Sequence, residues 1–111
     1  MSNDQAVEDQ IQAKGLTAPR ITVGHIDNMK ERLVYRFEQL RGTTSTFCHV
    51  YLDGLFYLTT GHSACVSLEN FDPQLGQDIA RRNASEQAAK RLWELEGYRL
   101  HMQLKEEPSI Q

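Results

Sequence analysis

The sequence has few of the residues that cross-link small proteins or hold metal ions. It contains two cysteines, Cys48 and Cys65, and neither belongs to a Cys-x-x-Cys pair. Its four histidines are scattered without the spacing of a structural zinc site. We therefore predict no metal ion and no cofactor, and we interpret the two cysteines as free thiols in a reducing cytoplasm.

Long apolar runs and excess positive charge are also missing. No stretch approaches the roughly 18 apolar residues of a membrane-spanning helix, and residues 1–10 lack the basic and apolar regions of a secretory signal. The formal charge is −3, from 12 basic and 15 acidic residues. Because nonspecific nucleic-acid binding depends on Lys and Arg contacts to phosphate, nucleic acid is an unfavourable partner. The sequence predicts a cytoplasmic protein that does not bind membranes.

Large apolar side chains are scarce at the N-terminus of the chain. Residues 1–20 are rich in Gln, Asp, Glu and Asn and bury too little surface to offset the entropy lost on ordering, which predicts a flexible arm. Residues 105–111 are predicted to form a frayed tail. The intervening residues 21–104 of the 111-residue chain are enough for one small domain with a modest core.

The central segment predicts a single α+β domain, in which a helix precedes a three-stranded antiparallel sheet and a long C-terminal helix. Thr22 is a suitable N-cap for the first helix, and Asp72 with Pro73 suits the start of the last one. Gly97 is predicted either to end the last helix or to lie inside it where another group packs closely. The strands are predicted over 34–38, 46–52 and 55–60, and the buried side of the long helix is predicted to hold Leu75, Ile79, Ala89, Leu92 and Trp93.

Asp53 and Gly54 predict a two-residue hairpin between the second and third strands, because a type I′ turn needs positive φ at both positions. The predicted cross-strand pairs are Leu52 with Leu55, Val50 with Tyr57 and Cys48 with Thr59. Both faces of this ribbon are then largely apolar, and we predict that the second face is a binding surface because one layer of helices leaves it in water. Its residues are Phe47, His49, Tyr51, Phe56 and Leu58.

The segment Gly61-His62-Ser63-Ala64-Cys65 differs by one residue from Gly-x-Ser-x-Gly, the turn that exposes the nucleophilic serine of many hydrolases. We interpret it as non-catalytic. Cys65 stands where the second glycine is required, and a chain of this length cannot build the large, mostly parallel sheet that supports such a turn. Ser63 is therefore predicted to be a strand-end or turn residue, and the chain is not predicted to be an enzyme.

An ordered series of motifs covers residues 15–104. They include K-G-L-T-A-P-R at 14–20, G-H-S-A-C-V at 61–66, N-F-D-P at 70–73 and L-E-G-Y-R-L at 95–100. The series resembles the family of small phage and prophage proteins known as the gene-sixty-six or gene-forty-nine product family. One departure is a longer segment between 85 and 91, by about four residues or one helical turn. The resemblance implies a tailed-phage accessory protein in the cytoplasm of the infected bacterium, and it implies no catalytic residues.

The sequence is compatible with three functions. The first is binding of a host protein, for host takeover or counter-defence, and self-association into a dimer or larger oligomer would bury the same surface. The second is an oligomeric sponge for a nucleotide immune signal. The third is nucleic-acid binding, because the element order is that of a double-stranded-RNA-binding domain, although the long helix starts with acidic residues. The residues predicted to contact a nucleotide are Arg36, Arg41, Tyr51, Tyr57 and Arg99.

Overall fold

We describe residues 3–15 and 18–106 in a computed structural model of the chain. The elements are α1 (Asn3–Ala13), α2 (Val23–Lys30), β1 (Leu33–Gln39), β2 (Thr46–Leu52), β3 (Phe56–Ser63), a 3₁₀ turn (Leu68–Asn70) and α3 (Pro73–Glu106). The order confirms the predicted α+β domain of helix, three-stranded antiparallel sheet and long C-terminal helix. Within the described ranges, no helix combines the length and the apolar character needed to cross a membrane.

Helices α2 and α3 begin at the caps that the sequence predicts. The Thr22 hydroxyl accepts a hydrogen bond from the His25 amide (3.1 Å) at the start of α2. At α3, one carboxylate oxygen of Asp72 accepts hydrogen bonds from two backbone amides of the first turn (2.9 and 3.2 Å), and Pro73 is the first helical residue. Such caps supply acceptors for amides that have no partner inside the helix, which is why these two boundaries can be predicted from the sequence.

The strands form one antiparallel sheet in the order β1-β2-β3, so that β2 is central. Helix α3 packs on β2 and β3, and α2 packs on α3, so one face of the sheet is covered. We call the opposite side the outer face. The core lies between the sheet and the helices, and its buried residues are Ile26, Met29, Cys48, Val50, Leu58, Ala80, Ala84, Ala88 and Leu92.

The β2–β3 hairpin has the predicted turn residues but a different register. Asp53 (φ 58°) and Gly54 (φ 77°) both adopt positive φ, and the following amide, of Leu55, donates to the Leu52 carbonyl (3.3 Å). Strand β3 nevertheless begins at Phe56, and the pairing shifts again at an irregularity beside Val50. The observed pairs are Leu52 with Phe56, Tyr51 with Tyr57, Val50 with Thr59 and Cys48 with Gly61, so the predicted pairs were wrong.

The irregularity exchanges two side chains between the faces of the sheet. Leu58, predicted to lie on the solvent face, is 3% exposed in the core, whereas Tyr57, predicted opposite Val50 on the core side, is 49% exposed. One extra residue in a strand reverses the alternation of side chains beyond it. The exchange is favourable because burying a leucine side chain contributes roughly 2 kcal/mol. It also corrects the prediction of a ribbon that is apolar on both faces.

Helix α3 meets the sheet through small residues. Its buried positions recur every four residues and are Gly76, Ala80, Ala84, Ala88, Leu92 and Glu96. The contact is closest at Gly61 of β3, where a Cβ atom would lie 2.3 Å from the Ala80 carbonyl oxygen and 2.4 Å from the Ala84 amide nitrogen. Among the residues that were predicted to lie on the buried side of α3, Leu92 is fully buried, but Leu75 is 55% exposed. Side chains no larger than alanine allow the helix to approach the strand backbone. The prediction missed this contact because it followed mainly the large apolar residues of the helix.

The long helix continues through Gly97, so that residue lies inside the helix as one of the two predictions had it, but the close packing that this prediction included is not found. Gly97 lies inside α3, and a Cβ atom there would have nothing within 4 Å among the described residues. Helix α3 ends at Glu106, inside the predicted tail 105–111, whose remainder lies outside the described residues. The boundaries of the domain at 21 and 104 stay predictions.

Most of the described part of the predicted N-terminal arm is helical. Helix α1 is joined to the domain by a bidentate ion pair, in which the Arg20 guanidinium donates to both carboxylate oxygens of Glu8 (2.8 and 2.6 Å). These hydrogen bonds hold the pKa of Glu8 at about 2, against burial, which acts in the opposite direction. Val7 and Ile11 lie beside Trp93 at a cavity of about 250 Å³. The sequence did not predict this helix because its apolar residues are too few to stand out from a polar segment.

Acid is expected to release α1 from the domain. The pKa of Glu8 is lower in the folded protein than the ordinary value of 4.5, so the Glu8–Arg20 pair stabilises docking above about pH 4.5 and is lost as the pH falls towards 2. Trp93 is the only tryptophan. Its fluorescence is therefore expected to shift to the red over this pH range, and Arg20→Gln is expected to show the shifted spectrum already at neutral pH. A variant lacking residues 1–15 provides the undocked reference, and an unchanged spectrum in Arg20→Gln would contradict the expectation.

Candidate interaction surface

The residues of the outer face are identified from the alternating side-chain directions along β2. Thr46, Cys48 and Val50 are buried towards the helices, so the residues between them point to the other side of the sheet. The pairing with β1 and β3 adds their outward neighbours. The outer face consists of Val34, Arg36, Glu38, Phe47, His49, Tyr51, Tyr57, Thr60 and His62.

Aromatic rings on the outer face contact one another in defined geometries. Phe47 stacks on His62 across the strand pair, with ring centroids 4.8 Å apart and planes 15° from parallel. It is also nearly parallel to His49, at 6.2 Å and 5°. Tyr51 and Tyr57 meet edge to face at 5.6 Å and 66°. Rings that already hold each other in place lose little side-chain entropy when a partner covers them.

Polar groups on the same face form a continuous hydrogen-bonded chain. His49 contacts the Glu38 carboxylate through Nε2 (2.9 Å) and the Thr60 hydroxyl through Nδ1 (2.8 Å), and the Tyr57 hydroxyl contacts Thr60 (2.7 Å). One arrangement satisfies every group: Tyr57 donates to Thr60, Thr60 donates to Nδ1, and Nε2–H donates to Glu38. Both ring nitrogens of His49 and the hydroxyls of Thr60 and Tyr57 therefore have partners within the chain and do not need new ones when water is removed.

The hydrogen-bonded order of carboxylate, imidazole and hydroxyl resembles a catalytic triad, but the surroundings of these groups differ from those of a triad. The carboxylate of a triad is buried, which lets it orient and stabilise the imidazole, whereas the Glu38 side chain is 61% exposed. The three side chains project from the open face of a three-stranded sheet. We interpret the chain of hydrogen bonds as a ladder between strands, of the kind that joins opposed side chains in antiparallel sheets.

Prediction from the sequence found only part of this surface. Phe47, His49 and Tyr51 lie on it as the strand alternation indicates, but Glu38, Thr60 and His62 were not singled out. These residues are recognised only by their pairing with outward-facing residues of β2, and that pairing cannot be assigned until the strand register is known. Of the other residues predicted for this surface, Leu58 is in the core, and Phe56 pairs with Leu52 at the hairpin end, where it is 53% exposed.

The residues predicted to bind a nucleotide are divided among three places. Arg36, Tyr51 and Tyr57 lie on the outer face, and Arg41 follows β1 in the exposed turn. Arg99 lies on α3, where its guanidinium donates to both carboxylate oxygens of Glu96 (2.7 to 3.2 Å). The structure therefore brings neither Arg41 nor Arg99 to the three residues on the outer face.

Glu96 is a buried carboxylate that joins α2 to α3. It is 7% exposed, and its Oε1 atom lies 2.6 Å from Nε2 of His25. Hydrogen bonds from Arg99, followed by that from His25, lower the pKa of Glu96 and outweigh the effect of burial. The i, i+3 spacing of Glu96 and Arg99 is visible in the sequence, but the contact with His25, 71 positions away, is not.

Ser63 is the last residue of β3, which confirms its prediction as a strand-end residue. The neighbouring His62 directs Nε2 to the hydroxyl of Ser45 (2.9 Å).

Cys48 and Cys65 are free thiols, and burial raises the pKa of Cys48. Among residues 3–15 and 18–106, no three His, Cys, Asp or Glu side chains are grouped so that they could hold a metal ion.

Comparison with known proteins identifies one family. The chain matches the Phage protein (N4 Gp49/phage Sf6 gene 66) family over residues 21–104, which include α2, the whole sheet and nearly all of α3. Comparisons with curated proteins and with solved structures give no match. The match confirms the phage family that the motifs at 61–66, 70–73 and 95–100 indicate. The chain therefore belongs to the Phage protein (N4 Gp49/phage Sf6 gene 66) family.

Proposed function

We propose that this protein is a non-enzymatic phage accessory protein that binds a host protein through the outer face of its sheet. One observation carries the proposal. The helices cover a single face, and the other presents Phe47, Tyr51 and Tyr57 with two histidines and no covering element among the described residues. Aromatic residues are enriched at protein interfaces and supply most of the binding free energy where they are buried by a partner.

The polar part of the outer face also suits an interface. Burying a polar group without a hydrogen bond costs roughly 1–3 kcal/mol, which limits how much polar surface an interface can cover. Here His49 is already hydrogen-bonded on both ring nitrogens, and the hydroxyls of Thr60 and Tyr57 bond to each other. A partner can therefore cover these groups without leaving them unsatisfied.

Membership in a phage family supports a partner from the infected bacterium. A small protein with a preformed aromatic face and an acidic formal charge of −3 is suited to binding protein surfaces. We infer that its site of action is the host cytoplasm, and that it blocks or redirects its target as part of host takeover or counter-defence.

The proposal is tested by capture from phage-infected cells with two matched tyrosine variants. Tyr57→Ser removes an aromatic ring from the outer face, and Tyr98→Ser removes one that is 65% exposed on α3. We expect wild type and Tyr98→Ser to retain the same host protein, and Tyr57→Ser to bind it at least about tenfold more weakly, the effect of losing an interface anchor. Equal capture by all three forms, or by none, would contradict the proposal.

A nucleotide sponge is the second candidate, because the outer face places Arg36 on the same surface as the Tyr51–Tyr57 pair. Guanidinium and aromatic groups together recognise phosphate and base. Native mass spectrometry of protein purified from infected cells separates the two candidates. A co-purifying nucleotide that is absent from Tyr57→Ser would favour the sponge over the host-protein partner.

A further inference from the structure

The two edges of the sheet differ in how their backbone groups are satisfied. Along β3, side chains of α3 reach the free edge, where Asn83 donates to the His62 carbonyl (3.1 Å) and Arg91 donates to the Leu58 carbonyl (3.3 Å). The long helix thus closes this edge against another strand. Strand β1, at the other edge, has no such cover from the residues that the structure describes.

The outward backbone groups of β1 follow from its pairing with β2. The Arg32 carbonyl accepts from Asp53 and the Leu40 amide donates to Ser45, so alternate residues from 32 to 40 direct their backbone groups towards β2. Residues 33, 35, 37 and 39 direct theirs away from the sheet. No described residue hydrogen-bonds to the outward amide or carbonyl of Phe37. An open edge of this length is a template for a further strand.

We propose that β1 pairs antiparallel with β1 of a second copy of this chain, about a two-fold axis at Phe37. In this register Arg36 of each copy lies opposite Glu38 of the other, so the dimer gains two cross-strand ion pairs on the outer face. Opposite charges in directly opposed positions stabilise a strand pair. Phe37 meets Phe37 on the core side, and the outward backbone groups of residues 35, 37 and 39 form the new hydrogen bonds.

Neighbouring registers are less favourable. A two-fold axis at Arg36 would place the two Arg36 side chains opposite each other, and like charges in opposed positions are destabilising. An axis at Tyr35 would place Arg36 opposite Val34. Only the axis at Phe37 matches each charge of the strand centre with its opposite.

The dimer also covers apolar surface that α3 leaves open. Helix α3 packs on β2 and β3, and Phe37, whose neighbour across the strand is the buried Cys48, is 37% exposed beyond it. A second copy would place another Phe37 ring beside the first. The result is a six-stranded sheet with both outer faces on the same side. This inference does not rest on the proposed function. It uses the backbone edge of β1 with Arg36 and Glu38, whereas the host-protein proposal is carried by the aromatic residues of the outer face on β2 and β3.

Cysteine cross-linking tests the edge and its register. In a Cys48→Ala, Cys65→Ser background, which removes the thiol that faces residue 37 across β1 and β2, Phe37→Cys is expected to form a disulfide-linked dimer on mild oxidation. Directly opposed residues have Cα atoms about 5.5 Å apart, within the range of a disulfide. Gln39→Cys is the matched control, because its two copies would lie about 13 Å apart along the strands. Cross-linking of neither variant, or of both equally, would overturn the proposal.

Mass in solution provides the second measurement. Wild type is expected to have twice the chain mass of 12.7 kDa. The dimer of Glu38→Arg is expected to dissociate at least about tenfold more readily, because two arginines then face each other. The double variant Arg36→Glu, Glu38→Arg is expected to dimerise like wild type, since its reversed charges again face their opposites. Tyr57→Ser is expected to remain a dimer, which separates failure of the outer face from failure of the edge. A monomeric wild type, or a double variant no better than Glu38→Arg, would overturn the proposal.

Discussion

Replacing Gly61 with alanine is expected to destabilise the protein strongly. The added Cβ atom would lie 2.3 Å from the Ala80 carbonyl oxygen and 2.4 Å from the Ala84 amide nitrogen. Both neighbours are backbone atoms of α3, so relief requires the whole helix to move from the sheet. We expect the free energy of unfolding, measured by urea denaturation, to fall by about 3 kcal/mol or more, out of the 5–15 kcal/mol typical of such domains.

Gly97→Ala is the matched control for this substitution. Gly97 lies in α3, and a Cβ atom there would have nothing within 4 Å among the residues that the structure describes. Because alanine is a better helix former than glycine, the free energy of unfolding is expected to rise by about 0.5–1 kcal/mol. A Gly61→Ala protein as stable as wild type would show that α3 does not approach β3 as closely as the structure has it.

A second pair of substitutions is expected to differ strongly although both replace leucine in α3. Leu92 is completely buried, and Leu92→Ala is expected to lower the free energy of unfolding by about 2–5 kcal/mol through lost burial and the cavity left behind. Leu75 is 55% exposed, and Leu75→Ala is expected to cost less than about 1 kcal/mol.

The pair distinguishes the observed face of α3 from the one that the sequence predicts. Leucine and alanine have similar helix propensities, so the difference between the two variants reports burial and not helix formation. If Leu75→Ala were as destabilising as Leu92→Ala, the predicted buried side would be correct and the observed one would not.

Local features of the fold could be predicted from the sequence. The caps at Thr22 and Asp72 act within one helical turn, and the positive φ values of Asp53 and Gly54 depend on their own backbones. Strand alternation also placed Phe47 and Tyr51 on the solvent side of the sheet. These signals require only the few residues around each position.

Features that depend on distant contacts could not be predicted. The irregularity beside Val50 exchanges the faces of Tyr57 and Leu58, because the core accepts the leucine and the open face accepts the tyrosine hydroxyl. Nothing near Gly61 in the sequence indicates the helix that packs on it. Helix α1 likewise depends on the ion pair between Glu8 and Arg20. The outer face was only half predicted for the same reason, since its polar members are recognised by their neighbours across the strands.

Histidine labelling with diethylpyrocarbonate can decide whether the outer face is a binding surface. His62 lies on that face and is exposed, whereas His101 is exposed on α3 and provides an internal control. In extract of phage-infected cells, we expect labelling of His62 to fall relative to labelling in buffer, while labelling of His101 stays the same. Equal labelling of His62 in extract and in buffer, or protection of His101 instead, would show that the protein does not act through this face.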